Sequence, residues 1–93
     1  MSERILQNKV LNFLRAFNNL KVLKIQRCNE NGVPDIMILS NGKAYFIELK
    51  DIKGRLSPIQ KEQIKSIEIK GGCRTLIATS LEQVKEFYDK YIK

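Results

Sequence analysis

The 93-residue sequence contains no histidine, only two cysteines and no apolar run long enough to span a membrane. Without histidine, the formal charge of +7, from 17 Lys and Arg against 10 Asp and Glu, cannot be switched off near neutral pH. Cys28 and Cys73 lie far apart, in no CxxC arrangement, so neither a zinc site nor a disulfide framework is indicated, and two buried free thiols are expected. The opening "MSERILQNKV" carries charges where a signal peptide needs its apolar region, which points to a cytoplasmic protein.

What is present fits a soluble globular chain. Hydrophobic residues make up 43% and charged residues 29%, and the length suits one domain spanning residues 1–93. The basic balance makes a polyanion the natural partner, with nucleic acid bound through its phosphates. Basic proteins without that role are common, so the placement of the acids carries more information than the excess of bases.

Apolar residues at Ile5, Leu6, Val10, Phe13, Leu14 and Phe17 form one helical stripe, with Ser2 as N-cap, and predict a first helix from Glu3 to Phe17. Lys21 to Cys28 reads as a strand, ended by the polar "NENG". "DIMILS" and "KAYFIELK" are two further strands, joined by Asn41-Gly42, a pair suited to a type I′ hairpin turn. "SPIQ" then opens a helix with Ser57 at the N-cap, Pro58 at N1 and Gln60 at N3, running to about Lys70. Gly71-Gly72 ends it, "CRTLIATS" gives a fourth strand, and Ser80 with Gln83 caps a last amphipathic helix. The expected class is α/β in the order αβββαβα, with a βαβ crossover giving a mixed sheet flanked by helices.

Asp35 and Glu48 are strand-borne acids on either side of the tight hairpin, which can bring them together. Strand alternation puts Glu48 and Lys50 on one face, apart from Tyr45, Ile47 and Leu49. Two close carboxylates repel and tend to take up a proton, whereas a hard divalent cation such as Mg²⁺ suits a pair of oxygen ligands completed by water. Such a cation acidifies bound water and offsets phosphodiester charge, and Lys50 beside it would orient that water or stabilise developing charge. Ordinary devices compete with this reading: Asp35 could cap a turn after Pro34, and Glu48 with Lys50 could be an exposed same-face ion pair.

The motifs "GVPD", "IELK" and "GRLSPIQ", following the helix "SERILQNKVL", resemble in identity and order those of the virus-type replication-repair nuclease (VRR-NUC) domain of the PD-(D/E)XK nucleases. The likeness covers almost the whole chain; "PD…ExK" alone is a weak signal, the ordered set a strong one. It implies a restriction-endonuclease-like core, with Asp35, Glu48 and the Leu49 backbone carbonyl ligating Mg²⁺ or Mn²⁺ and Lys50 as the catalytic lysine. It further implies that Glu3 completes the acidic site and that Gln60 supports it from the second helix. Each of these last two has a plainer account: an acid in a first helical turn meets the helix dipole, and Gln60 suits a capping box.

Arg27, Lys53 and Arg55 flank these motifs and are candidate phosphate contacts, with solvated loop charges the alternative for each. Gly32 either lets nucleic acid approach the backbone or shapes the turn. The resemblance implies a metal-dependent DNA endonuclease, selective for branched or Holliday-junction-like DNA and working as a homodimer. It also likens this short chain to phage-encoded members, which act in the cytoplasm of a bacterial host. The exposed face of the first or last helix, with Phe87, Tyr88 and Tyr91 more than one stripe can easily bury, is the place to seek the dimer contact. Rival readings are an inactive nucleic-acid-binding module of the same fold and a small RNA-binding structural protein.

Overall fold

The computed structural model describes residues 2–93, beginning at a helix cap. The Ser2 hydroxyl accepts from the Ile5 N–H at 3.3 Å, and helix α1, Glu3–Arg15, follows with Glu3 in its first turn and Arg15 in its last, both favourable to the helix dipole. Its buried stripe is Leu6, Val10, Leu11 and Leu14. Phe13 and Phe17 pack at the margin, while Ile5, expected in the stripe, is exposed.

Four strands follow in the spatial order β1 (Lys21–Lys24), β2 (Ile36–Ser40), β3 (Lys43–Leu49) and β4 (Arg74–Ala78). The first two pairings are antiparallel and β3 with β4 is parallel, which is the expected mixed sheet. Asn41 at φ 52° and Gly42 at φ 76° make the two-residue turn between Ser40 and Lys43. Positive φ at both positions is what a type I′ turn requires, and it fixes the β2–β3 register. β1 is shorter than expected: after the Ile25 N–H donates to the Asp35 carbonyl at 2.7 Å, the chain leaves the sheet.

Helix α2, Pro58–Ile69, returns the chain from β3 to β4, and α3, Leu81–Phe87, closes the fold. The last turn, Tyr88–Ile92, widens to a π-helix, with the Lys93 N–H bonded to the Tyr88 carbonyl at 2.9 Å. One sheet face, bearing Val22, Ile36, Ile38, Tyr45, Ile47, Leu49 and Ala78, packs with α1 and α3 in a single apolar cluster. The opposite face carries Phe46, Glu48 and Thr75. α2 covers its β3–β4 half: the Thr75 hydroxyl donates to Glu68 of α2 at 2.7 Å.

Two expectations are corrected. Cys28 and Cys73 are free, but Cys28 is exposed and Cys73 half-buried, because both sit in connecting segments rather than on core faces. Phe87 and Tyr88 do not offer a free face, since both are buried in the core; the π turn adds Tyr88 to the surface that packs on α1, where it stacks on Phe17 with ring centroids 4.2 Å apart. No helix among the described residues is long and apolar enough to cross a membrane.

Candidate active site

Ile36 pairs with Ile47, so one further step of the same register sets Asp35 opposite Glu48. The Asp35 carboxylate does not point away into solvent. Its Oδ2 accepts from the Leu49 N–H at 3.1 Å. The hairpin thus supplies the juxtaposition, and the Leu49 amide orients Asp35. Leu49, whose carbonyl was expected among the ligands, is accordingly at the centre of the group through its backbone.

Glu48 is the buried member, its side chain 4% exposed, with Lys50 Nζ 3.8 Å from its Oε2. The Gln60 Nε2 donates to that same oxygen at 3.4 Å. The other oxygen, Oε1, is buried and has no hydrogen-bond partner. Burial, and after it the Asp35 carboxylate, push the Glu48 carboxyl up from 4.5 to about 7, against the opposing pull of Lys50. A buried carboxylate with one unsatisfied oxygen beside a second carboxylate is a costly arrangement for a structural ion pair. It is a suitable one for a hard divalent cation, and the residues fit Mg²⁺ or Mn²⁺ on that ground.

Among the described residues no group of three or more His, Cys, Asp or Glu side chains is close enough to hold an ion. Two carboxylates would therefore leave the other positions to a backbone carbonyl and water, a common manner of holding Mg²⁺. Glu3 stands at the rim: its Oε1 accepts from the Asp51 N–H at 3.1 Å, and its charge is the weakest of those raising Glu48. That tether ties the start of α1 to the end of β3 across 48 positions of sequence.

Gln60 caps its helix and also reaches Glu48. Its Oε1 accepts from the Ser57 N–H at 2.9 Å and its own N–H donates to the Ser57 hydroxyl at 3.2 Å, a complete capping box. The Nε2 end is thereby left free to face Glu48. Gly32 is explained by neither of its two expected roles alone. At φ +81° it shapes the turn, and a Cβ there would come within 2.9 Å of the Ile59 carbonyl, so the backbone approaches α2 rather than a ligand. The Gln63 Nε2 donates to Glu30 at 2.8 Å, pinning the same loop to the same helix.

Arg27 is exposed and borders a hollow of about 350 Å³ that Asp35 also lines. Lys53 and Arg55 are exposed on the loop after Lys50, where the Lys53 N–H donates to Asp51 at 3.3 Å. The structure therefore gathers Asp35, Glu48, Leu49, Lys50 and Gln60, puts Glu3 and Arg27 at the rim, and leaves Lys53 and Arg55 in solvent nearby. Sequence reading missed Asp51, whose amide holds Glu3, and the Leu49 amide, which holds Asp35; backbone donors carry no signal in residue identity.

No protein-family model and no curated protein matches the sequence. Solved structures do match the fold. One described as a "VRR_NUC domain" superposes with a TM-score of 0.80 at 24% identity, over 96% of each chain. A second, a "VRR_NUC domain protein", gives 0.79 at 21% identity, over 99% of this chain and 88% of that one. Hjc, a Holliday junction resolvase from Archaeoglobus fulgidus, gives 0.61 at 18% identity, over 83% of this chain and 67% of that one. At these identities the likeness establishes the fold, a restriction-endonuclease-like α/β core shared with VRR_NUC domains over nearly the whole chain.

Proposed function

We propose that the protein is a metal-dependent endonuclease that hydrolyses phosphodiester bonds of DNA. The observation that carries this reading is the buried Glu48 Oε1, unpartnered beside Asp35 while Lys50 and Gln60 occupy the other oxygen. Asp35, Glu48 and the Leu49 carbonyl would hold Mg²⁺ or Mn²⁺. When bound, such an ion supplies charge neutralisation at the scissile phosphate and an acidified water.

The chain's own groups do the rest. Asp35 is held by the Leu49 amide through Oδ2, which would leave its other oxygen for the ion. Gln60 restrains Glu48 by a hydrogen bond from an anchored helix start, which keeps the two carboxylates in register. Lys50, half-buried and 3.8 Å from Glu48, would orient the attacking water and meet developing negative charge on the phosphate. Glu3 would complete the acidic site from the rim, and Arg27, Lys53 and Arg55 would contact flanking phosphates.

The likeness to a Holliday junction resolvase supports branched DNA as the preferred substrate; that the protein works as a homodimer in the cytoplasm is part of the same proposal. Leu23 and Leu39, exposed at 38% and 39% on the half of the sheet that α2 leaves uncovered, replace the last helix as the place for a dimer contact. The test is cleavage of linear duplex, flap and four-way-junction DNA with Mg²⁺ or Mn²⁺. Cutting by the wild type that is lost in Lys50→Ala supports the reading; no cutting of any substrate, or equal cutting by Lys50→Ala, overturns it. A clean monomer in sedimentation at high concentration removes the homodimer.

A further inference from the structure

At the end of the sheet remote from Asp35 and Glu48, the parallel strands β3 and β4 begin side by side, with Tyr45 paired to Arg74. The β2–β3 turn and the Gly71-Gly72 turn before β4 flank a groove of about 550 Å³. Lys43, Arg74 and Lys90 line it, and no Asp or Glu does. All three are exposed, and neither ion pair found among the described residues involves them. Glu68, which borders the adjoining hollow with Arg74, already accepts the Thr75 hydroxyl at 2.7 Å.

The cations are positioned rather than scattered. The Arg74 guanidinium lies 3.9 Å from the centroid of the Tyr91 ring, and Lys90 Nζ lies 5.2 Å from the same centroid on the other element. Cation–π contact orients a positive group without neutralising it. The Tyr45 hydroxyl donates to the Tyr91 carbonyl at 3.1 Å, which ties that final turn to β3. Gly42 and Gly72 border the groove at positive φ, and a Cβ on either would meet nothing within 4 Å. The walls at both turns are therefore low, and a bulky polyanion can reach the charges between them.

Three unpaired cations in one concavity repel one another, and a chain of phosphates relieves that repulsion while releasing counterions. Lys43 and Glu48 are separated by five residues of β3, about 17 Å at the usual rise per residue. That length matches about five base-pair steps of duplex. The groove is therefore beyond the immediate neighbours of a phosphate held at Asp35 and Glu48.

We propose that this groove is a second DNA-binding site, taking backbone phosphates about five base pairs or more from the bond being cut. The proposal rests on the nuclease reading only for where the cut lies; the groove's affinity for phosphates is separate. It would let one molecule grip DNA at both ends of its sheet, so that affinity depends on a backbone long enough to span them.

The experiment measures binding of the wild-type protein to a labelled duplex of about 20 base pairs, in EDTA so that no cutting intervenes, across a salt series. Lys43→Gln/Lys90→Gln is compared with Lys9→Gln/Arg15→Gln, which removes the same charge from α1. Arg74 is left in place because it packs on Tyr91. Loss of two phosphate contacts lowers the log–log salt slope by about 1.8 in the groove variant, with the α1 variant near wild type. Equal slopes in all three proteins, equal loss in both variants, or no duplex binding by the wild type overturns the proposal. Cleavage assayed separately with Mg²⁺ decides the nuclease reading: a protein that cuts nothing yet loses slope in the groove variant keeps the groove and sinks that reading.

Discussion

The Gln60 amide spans the site and its scaffold, donating from Nε2 to Glu48 at 3.4 Å while Oε1 accepts from the Ser57 N–H at 2.9 Å. One side chain thereby couples the start of α2 to the buried carboxylate on β3. The two ends are separable by mutation. Ser57→Ala removes the hydroxyl half of the box and costs about 0.5 to 2 kcal/mol of stability, with cleavage retained. Gln60→Ala costs similar stability and in addition slows cleavage by about 10- to 100-fold, the usual effect of losing a group that orients a ligand. Thermal melts and single-turnover cleavage of the two proteins check this; equal cleavage by both would leave Gln60 a cap alone.

Glu48 sets the pH dependence of the metal-free protein. Its folded pKa of about 7 exceeds its ordinary 4.5, so the native state binds the proton more tightly than the unfolded chain does. The stabilisation is full below 4.5 and is lost as pH rises through about 7, above which the slope from this group vanishes. Denaturant titrations from acid to mildly alkaline pH should show that decline in wild type and not in Glu48→Gln. A divalent ion must displace the same proton, so its apparent affinity falls by up to about tenfold per pH unit below the shifted pKa. Calorimetry in two buffers of different ionisation enthalpy reads the released proton directly.

Removing the charge should trade activity for stability. Glu48→Gln takes away an ionised group with an unsatisfied buried oxygen and keeps the shape, so at alkaline pH it stabilises the metal-free protein by about 1 to 3 kcal/mol. The same change abolishes Mg²⁺ or Mn²⁺ binding and cleavage. A Glu48→Gln protein that is less stable than wild type above neutral pH would show that Glu48 serves the fold rather than a ligand.

Two glycines at positive φ should respond differently to alanine. At Gly42 a Cβ meets no atom within 4 Å, so the cost is only the left-handed backbone, about 1 to 2 kcal/mol. At Gly32 the Cβ would also press on the Ile59 carbonyl at 2.9 Å, so Gly32→Ala loses more stability than Gly42→Ala. The displaced first turn of α2 carries Gln60 with it, and cleavage by Gly32→Ala falls while that by Gly42→Ala does not. Urea unfolding and cleavage rates of the pair test both halves.

Much of the fold is legible in local sequence because local chemistry dictates it. Asn41-Gly42 selects the turn, the Ser57 and Ser80 boxes start two helices where expected, and period-two alternation puts Glu48 on the face opposite Ile47. Strand and helix ends were less legible. β1 stops at Lys24, short of the expected Cys28, and the last helix widens at Tyr88, whose ring stacks on Phe17.

By itself the sequence determined the element order, the hairpin that brings Asp35 to Glu48, and the side of the strand on which Lys50 lies, since these follow from backbone geometry over a few residues. Only the tertiary structure decided which oxygen of Glu48 is left without a partner, that Asp35 is held by the Leu49 amide, and that Glu3 is tethered to Asp51 at the rim. It alone assembled the groove of Lys43, Arg74 and Lys90 from three separate elements. The physical reason is the same in each case: these relations join backbone groups or residues distant in the chain, and their energies depend on distances and burial that no local pattern encodes.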